Sequence, residues 1–98
     1  MNITSGVDDV TWQAGGTITN AATLANTGFT KIGANGITTT FTGGLTTIAG
    51  SSQEIGGTIA AVDNNIVISD GEVITLNSNT TLSSIGAGAD GNDGDITL

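Results

Sequence analysis

Apolar and polar residues alternate along this chain in short bursts, each closed by glycine, asparagine or aspartate. Alternation with a period of two is the mark of a half-buried strand. It predicts strands at Val10 to Trp12, Thr17 to Thr19, Thr23 to Ala25, Phe29 to Ile32, Ile37 to Thr42 and Leu45 to Ile48. Further strands are predicted at Ile66 to Ile68, Val73 to Leu76, Thr80 to Leu82 and Asp95 to Leu98. No window carries a 3.6-residue apolar period long enough for a helix. Most segments are shorter than the usual sandwich strand of about 5–6 residues. Proline is absent, so every backbone N–H remains free to join a sheet ladder.

The bursts repeat. Ile18-Thr19, Ile37-Thr38, Ile59-Ala60, Ile74-Thr75-Leu76 and Ile96-Thr97-Leu98 return at intervals averaging close to twenty residues. Leu24, Leu45 and Ile66 recur every twenty-one, and the doublets Gly15-Gly16, Gly43-Gly44 and Gly56-Gly57 each precede a Thr/Ile/Leu burst. A period in this range points to stacked supersecondary units. The expected fold is all-β, a parallel β-helix (β-solenoid) of about five rungs of roughly 20 residues, with no significant helix. In such a coil isoleucine, valine and leucine point inward and stack, while threonine and asparagine face out or line the corners. The competing architecture is a piece of antiparallel sandwich.

The stretch GGLTTIAGSSQEIGGTIAAVDNNIVISDGEVITLNSNTTLSSIGAGADGNDGDITL, residues 43–98, resembles the degenerate repeats of filamentous-haemagglutinin-like bacterial exoproteins. The likeness is one of repeat style and extends over residues 15–98; the family's secretion-signal region has no counterpart here. It implies a right-handed coil, in line with the general preference for right-handed crossovers. It also implies an extracellular or bacterial cell-surface location and a shaft belonging to a long adhesin. Residues 1–98 are then one solenoid segment, a fragment of a longer fibre or a stacking unit in one. Its partners are itself or adjacent repeats, by end-to-end β-stacking, with a host-surface or glycan receptor for the whole adhesin.

Charge narrows the partners further. Nine acidic residues against the single basic Lys31 give a net charge of −8, which repels nucleic acid and anionic headgroups alike. Only 10% of residues are charged, so the polarity comes from Thr, Ser, Asn and Gly. No apolar run reaches the roughly 18 residues of a membrane-spanning helix, and membrane insertion is not expected. Cysteine and histidine are both absent, which removes disulfides, thiolate sites and the commonest general base.

The closing segment TLSSIGAGADGNDGDITL offers the one candidate ligand site. Its Gly88, Gly91, Asn92 and Asp93 match part of the calcium-binding nonapeptide of β-rolls, but the pattern occurs once where two successive turns are needed. SDGEVITL at 69–76 and ADGNDGDITL at 89–98 share Asp-Gly and Ile-Thr-Leu, with Asp70 and Asp90 twenty residues apart. Were these loops to stack, Asp70, Glu72, Asp90, Asp93 and Asp95 would share one edge. A hard cation such as Ca2+ would relieve their repulsion. The plainer reading is a solvated acidic corner without cofactor, and it is preferred.

Catalysis is not expected. Lyases on β-helices need basic residues, and this chain has one. Glycoside hydrolysis needs two carboxylates across a cleft. Asp8 and Asp9 are adjacent, expected on opposite faces of a strand, and Trp12, Phe29 and Phe41 are the only aromatics to offer a sugar. The leading expectation is a structural or adhesive shaft. Beside it stand a calcium-stiffened repeat module, a filament subunit stacking end to end, and a threonine-array ice-binding solenoid suggested by TIT, TTT and FTGGLTT.

Overall fold

The computed structural model describes residues 1–4, 6, 8–48, 52–68, 73–86 and 93–98, and in them the chain forms eleven strands and no helix. In order these are β1 (Asn2–Ile3), β2 (Val10–Trp12), β3 (Gly16–Ile18), β4 (Ala22–Leu24), β5 (Thr30–Ile32) and β6 (Thr38–Phe41). β7 (Leu45–Thr47), β8 (Gln53–Ala61), β9 (Ile66–Ile68), β10 (Ile74–Ser83) and β11 (Ile96–Thr97) follow. Every pairing is parallel. The chain is therefore a parallel β-solenoid, and the antiparallel alternative is excluded.

The strands fall into three faces that the chain visits in turn. The first face stacks β1, β4, β7, β9 and β11. The second stacks β2, β5, the start of β8 and the start of β10; the third stacks β3, β6, the end of β8 and the end of β10. The first face is five strands deep and the others four, so there are fewer complete windings than the five rungs expected.

Strands of three residues suffice because each needs only an inward residue, an outward one and another inward one. β4, β5, β7 and β9 all show that buried, half-buried, buried order. The inward positions form ranks from level to level. Ala22, Leu45 and Ile66 stack on the first face, and Ile32 on Ile55 on the second. On the third face Ile18, Phe41 and Ala61 form a rank in which the largest side chain has the small alanine on one side. Leu24, Ile32, Phe41, Leu45, Ile55, Ile59, Ile66 and Ile68 are all at most 1% exposed. Burying one such side chain is worth about 1.5–3 kcal/mol.

The corners are built from polar side chains. Between the first and second faces Asn26 is buried and its Nδ2 donates to the carbonyls of Asp8, Gly28 and Phe29 at 3.0, 3.1 and 3.2 Å. Its Oδ1 accepts from Thr30 Oγ1 at 3.1 Å. One level on, Thr47 Oγ1 donates to Gln53 Oε1 at 2.8 Å in the same corner. Between the second and third faces β8 bends at Gly56-Gly57. Gly57 has φ of 68°, and a Cβ there would collide with the carbonyl oxygens of Ala34 and Ile37 below.

The register departs from the apparent repeats. Leu24 stacks on Thr47 and Ala22 on Leu45, so the Leu24–Leu45 spacing is two residues out of register. Levels are 20 residues apart from Val10 to Thr30, 23 from Gly16 to Thr39 and 30 from Ile66 to Ile96. The recurring Ile-Thr pairs fall on different faces, because Ile74 lies over Gln53 and Ile96 over Ile66. Gly15-Gly16 and Gly56-Gly57 border the third face, whereas Gly43-Gly44 precede a first-face strand. Corner lengths vary while strand positions hold, which blurs any fixed period.

Thr39 is the counter-example to Asn26: it is fully buried between Gly16 and Ile59, and its hydroxyl has no hydrogen-bond partner. In urea denaturation, Thr39→Val should therefore gain about 1 kcal/mol, while Asn26→Ala should lose about 2 kcal/mol or more by stranding buried carbonyls. Equal losses in the two variants would contradict this reading of the polar interior.

Candidate functional site

The five acids of the alternative calcium reading divide between described and undescribed segments. Asp70, Glu72 and Asp90 lie outside the described residues, as do Gly88, Gly91 and Asn92 of the nonapeptide match. Asp93 and Asp95 are described, and Asp95 is exposed and bonded through its backbone: its N–H donates to Asn65 Oδ1 at 2.8 Å and its carbonyl accepts from Ile66 at 2.9 Å. Among the described residues no three Asp or Glu are grouped closely enough to hold a metal ion. Stacking of the two acidic loops would require the two Ile-Thr-Leu segments to lie one over the other. The register separates them: Ile74 enters the second face, over β8, and Ile96 the first, over β9.

Asp8 and Asp9 precede β2 rather than occupying a strand, and both act as corner acceptors. The Asp8 carbonyl accepts from Gly28 N–H at 2.6 Å, its Oδ1 from Thr27 Oγ1 at 3.3 Å, and Asp9 Oδ1 from Phe29 N–H at 2.9 Å. They tie the first level to the second. Of the aromatics, Phe41 is core; Trp12 is half-buried and gives its indole N–H to the Gly15 carbonyl at 3.1 Å; Phe29 is half-buried as well.

A cleft of about 260 Å³ lies at the corner between the third and first faces, where turns 21–23, 43–46 and 63–65 stack. Asp63 sits at its edge with φ of 53°, a left-handed conformation that aspartate tolerates better than most residues. Its Oδ1 is buried without a hydrogen-bond partner and lies against Gly86, where any side chain would clash. The neighbouring Asn64 closes the turn, its Nδ2 donating to the carbonyls of Val62 at 2.7 Å and Thr42 at 3.1 Å. The cleft holds one carboxylate and no cationic side chain, so its residues supply no acid–base pair.

Chemistry concentrates instead on the outward faces. On the second face the outward rank is Thr11, Lys31, Glu54 and Thr75. Lys31 Nζ meets Glu54 Oε1 at 2.7 Å, and Asn77 Nδ2 donates to the same oxygen at 2.9 Å. These hydrogen bonds, first from Lys31 and then from Asn77, hold the Glu54 carboxyl below the usual glutamate range. The third face carries two outward ranks: Thr38, Thr58 and Thr81 in one, and Thr17, Thr40, Ala60 and Ser83 in the other. The threonines stand out in the sequence but their ranks do not, because the ranks depend on a register that the corner lengths conceal.

Known proteins add no assignment: no family model, curated protein or solved structure matches the chain. The class that fold and surface define is a parallel β-solenoid with an acidic periphery, a cross-level ion pair between Lys31 and Glu54 and a threonine-rich side.

The ion pair predicts a pH dependence. A carboxyl held low in the folded state stabilises it above the unfolded value of about 4.3, and that contribution disappears as pH falls through the lower folded value. Wild type should exceed Glu54→Gln in urea midpoint at pH 7, and the gap should close below about pH 4. Parallel curves across that range would show that Lys31 and Asn77 add nothing through Glu54.

Proposed function

We propose that this chain is a structural segment of a secreted, surface-exposed bacterial fibre, a stiff shaft built by stacking windings, with no catalytic role. The observation that carries the proposal is the state of the last winding. Of six large apolar side chains exposed among the described residues, five belong to residues 73–98: Val73, Leu76, Ile85, Ile96 and Leu98. Leu76 stacks on the buried Ile55 and Ile96 on the buried Ile66, so both continue inward ranks of the core. A further winding would cover them as each lower level is covered by the next.

Strand edges at an open solenoid end also carry unpaired N–H and C=O groups, which invite another strand. That winding can come from the same polypeptide or from another copy, and in both cases the segment serves as a stackable unit. The repeat style shared with filamentous-haemagglutinin-like exoproteins supports an adhesin shaft at the bacterial cell surface, with receptor contacts made by the assembled fibre. The scarcity of cationic and aromatic side chains fits a spacer better than a catalyst.

The test is a direct tandem of two copies. In a solenoid, stability is close to a sum of units and nearest-neighbour interfaces, so joining copies end to end adds an interface to both. The tandem should melt several degrees above the single chain in one transition, and Ile96→Asp in its first copy should remove the gain. A tandem that melts at the temperature of the single chain would contradict end-to-end stacking.

A further inference from the structure

The third face differs from the rest of this acidic protein. Its outward positions at four successive levels are Thr17, then Thr38 and Thr40, then Thr58 and Ala60, then Thr81 and Ser83. No charged side chain stands in either rank, although the chain carries a net charge of −8. The neighbouring second face, by contrast, holds the Lys31–Glu54 pair. Among the described residues, none of the five threonine hydroxyls in these ranks bonds to another protein group, so all are left to water.

Spacing turns these residues into a lattice. Neighbours in a rank are about 4.8 Å apart and the two ranks about 6.7 Å apart, set by strand separation and by the rise over two residues. Threonine is β-branched and stiff about χ1, so on a regular backbone it tends to repeat one presentation of methyl and hydroxyl. The main-chain ladder holds the rows in place before any ligand arrives, so little ordering entropy remains to be lost on binding.

We infer that this face binds ice, with the crystal surface as its ligand. Ice is uncharged, presents hydroxyl donors and acceptors in a two-dimensional array, and has repeats close to both spacings of the threonine ranks. Water held between the hydroxyls and over the methyls is placed to join the crystal. The lack of charge matters here, because a charged face would hold counterions and strongly oriented hydration instead. Two other occupants fit less well. A second copy would have to bury unpaired hydroxyls over a patch of seven small side chains, far below the roughly 800 Å² per partner of a stable interface. A crystalline glycan would call for aromatic platforms, and Phe41, the aromatic of this face, points into the core. The inference is independent of the shaft proposal, since a lone segment and a fibre would both present the same ranks.

Ice-affinity partitioning of the purified chain, with recrystallisation inhibition measured in parallel, tests it. Wild type should be enriched in slowly grown ice and should restrain recrystallisation. Thr58→Tyr, at the centre of the array, and Thr81→Tyr, at an exposed position, should each lose both effects while keeping the wild-type circular dichroism spectrum. Thr11→Tyr, on the second face, should keep both. Should Thr58→Tyr misfold, the exposed Thr81→Tyr decides the matter alone. Exclusion of wild-type protein from ice would overturn the inference, as would equal loss in Thr11→Tyr, or retention on crystalline cellulose without enrichment in ice.

Discussion

A parallel main-chain ladder fixes each level of this protein directly over the one before, and that constraint governs the remaining structure. With strands about 4.8 Å apart, an inward side chain has two neighbours of its own rank and must fit both. Phe41 is accommodated because Ala61 follows it, and Leu45 because Ala22 precedes it. The same rule governs polarity. Thr47 stacks on Leu24 and Gln53 on Thr30, and the two residues meet each other across the corner, so a buried polar pair is satisfied within one level. Parallel stacking also leaves both ends of the coil with open edges, and the apolar side chains of the last winding lie at one of them.

Corners absorb what the faces cannot. They vary in length, and they are secured by side chains that reach backbone across the turn: Asn26 to three carbonyls, Asn64 to two, and Asp9 to the amide of Phe29. Glycine is indispensable where one turn is pressed on the next. Gly33 has φ of 79° and lies against the backbone of Gly56, so any side chain at this position would force the second and third levels apart.

The character of the fold was legible in the residues; its register was not. Alternation over Val10–Trp12, Ile66–Ile68 and eight other segments marked most strands, and the recurrence near twenty residues marked the coil. The longest central strand, β8, is hidden in the sequence because Gly56-Gly57 in its middle reads as a break, whereas the chain merely bends there and pairs on both sides of the bend. Similar letters also misled. Leu24 and Leu45 resemble repeat partners, yet the ladder sets Leu24 on a threonine, because hydrogen bonds align backbones and not residue types. The acidic edge drawn from Asp70, Glu72, Asp90, Asp93 and Asp95 is a separate matter: Asp70, Glu72 and Asp90 lie outside the described residues, and the segments Ile74-Thr75-Leu76 and Ile96-Thr97-Leu98 beside it enter different faces. The threonine ranks needed the true register before they could be recognised as an array.

The most direct measurement of that register is a cross-link. The protein has no cysteine, and Thr46 faces outward over Thr23, with Ala25 two positions further along the chain, just past the end of β4. Oxidation of Thr23→Cys/Thr46→Cys should form an intramolecular disulfide in the native state, because paired strands bring the Cα atoms within the roughly 4.4–6.8 Å a disulfide spans. Ala25→Cys/Thr46→Cys, the pair that a strict twenty-one-residue repeat would favour, should remain reduced. The opposite outcome, or free thiols in both variants, would contradict the level-over-level ladder on which the fold, the stackable ends and the threonine array all rest.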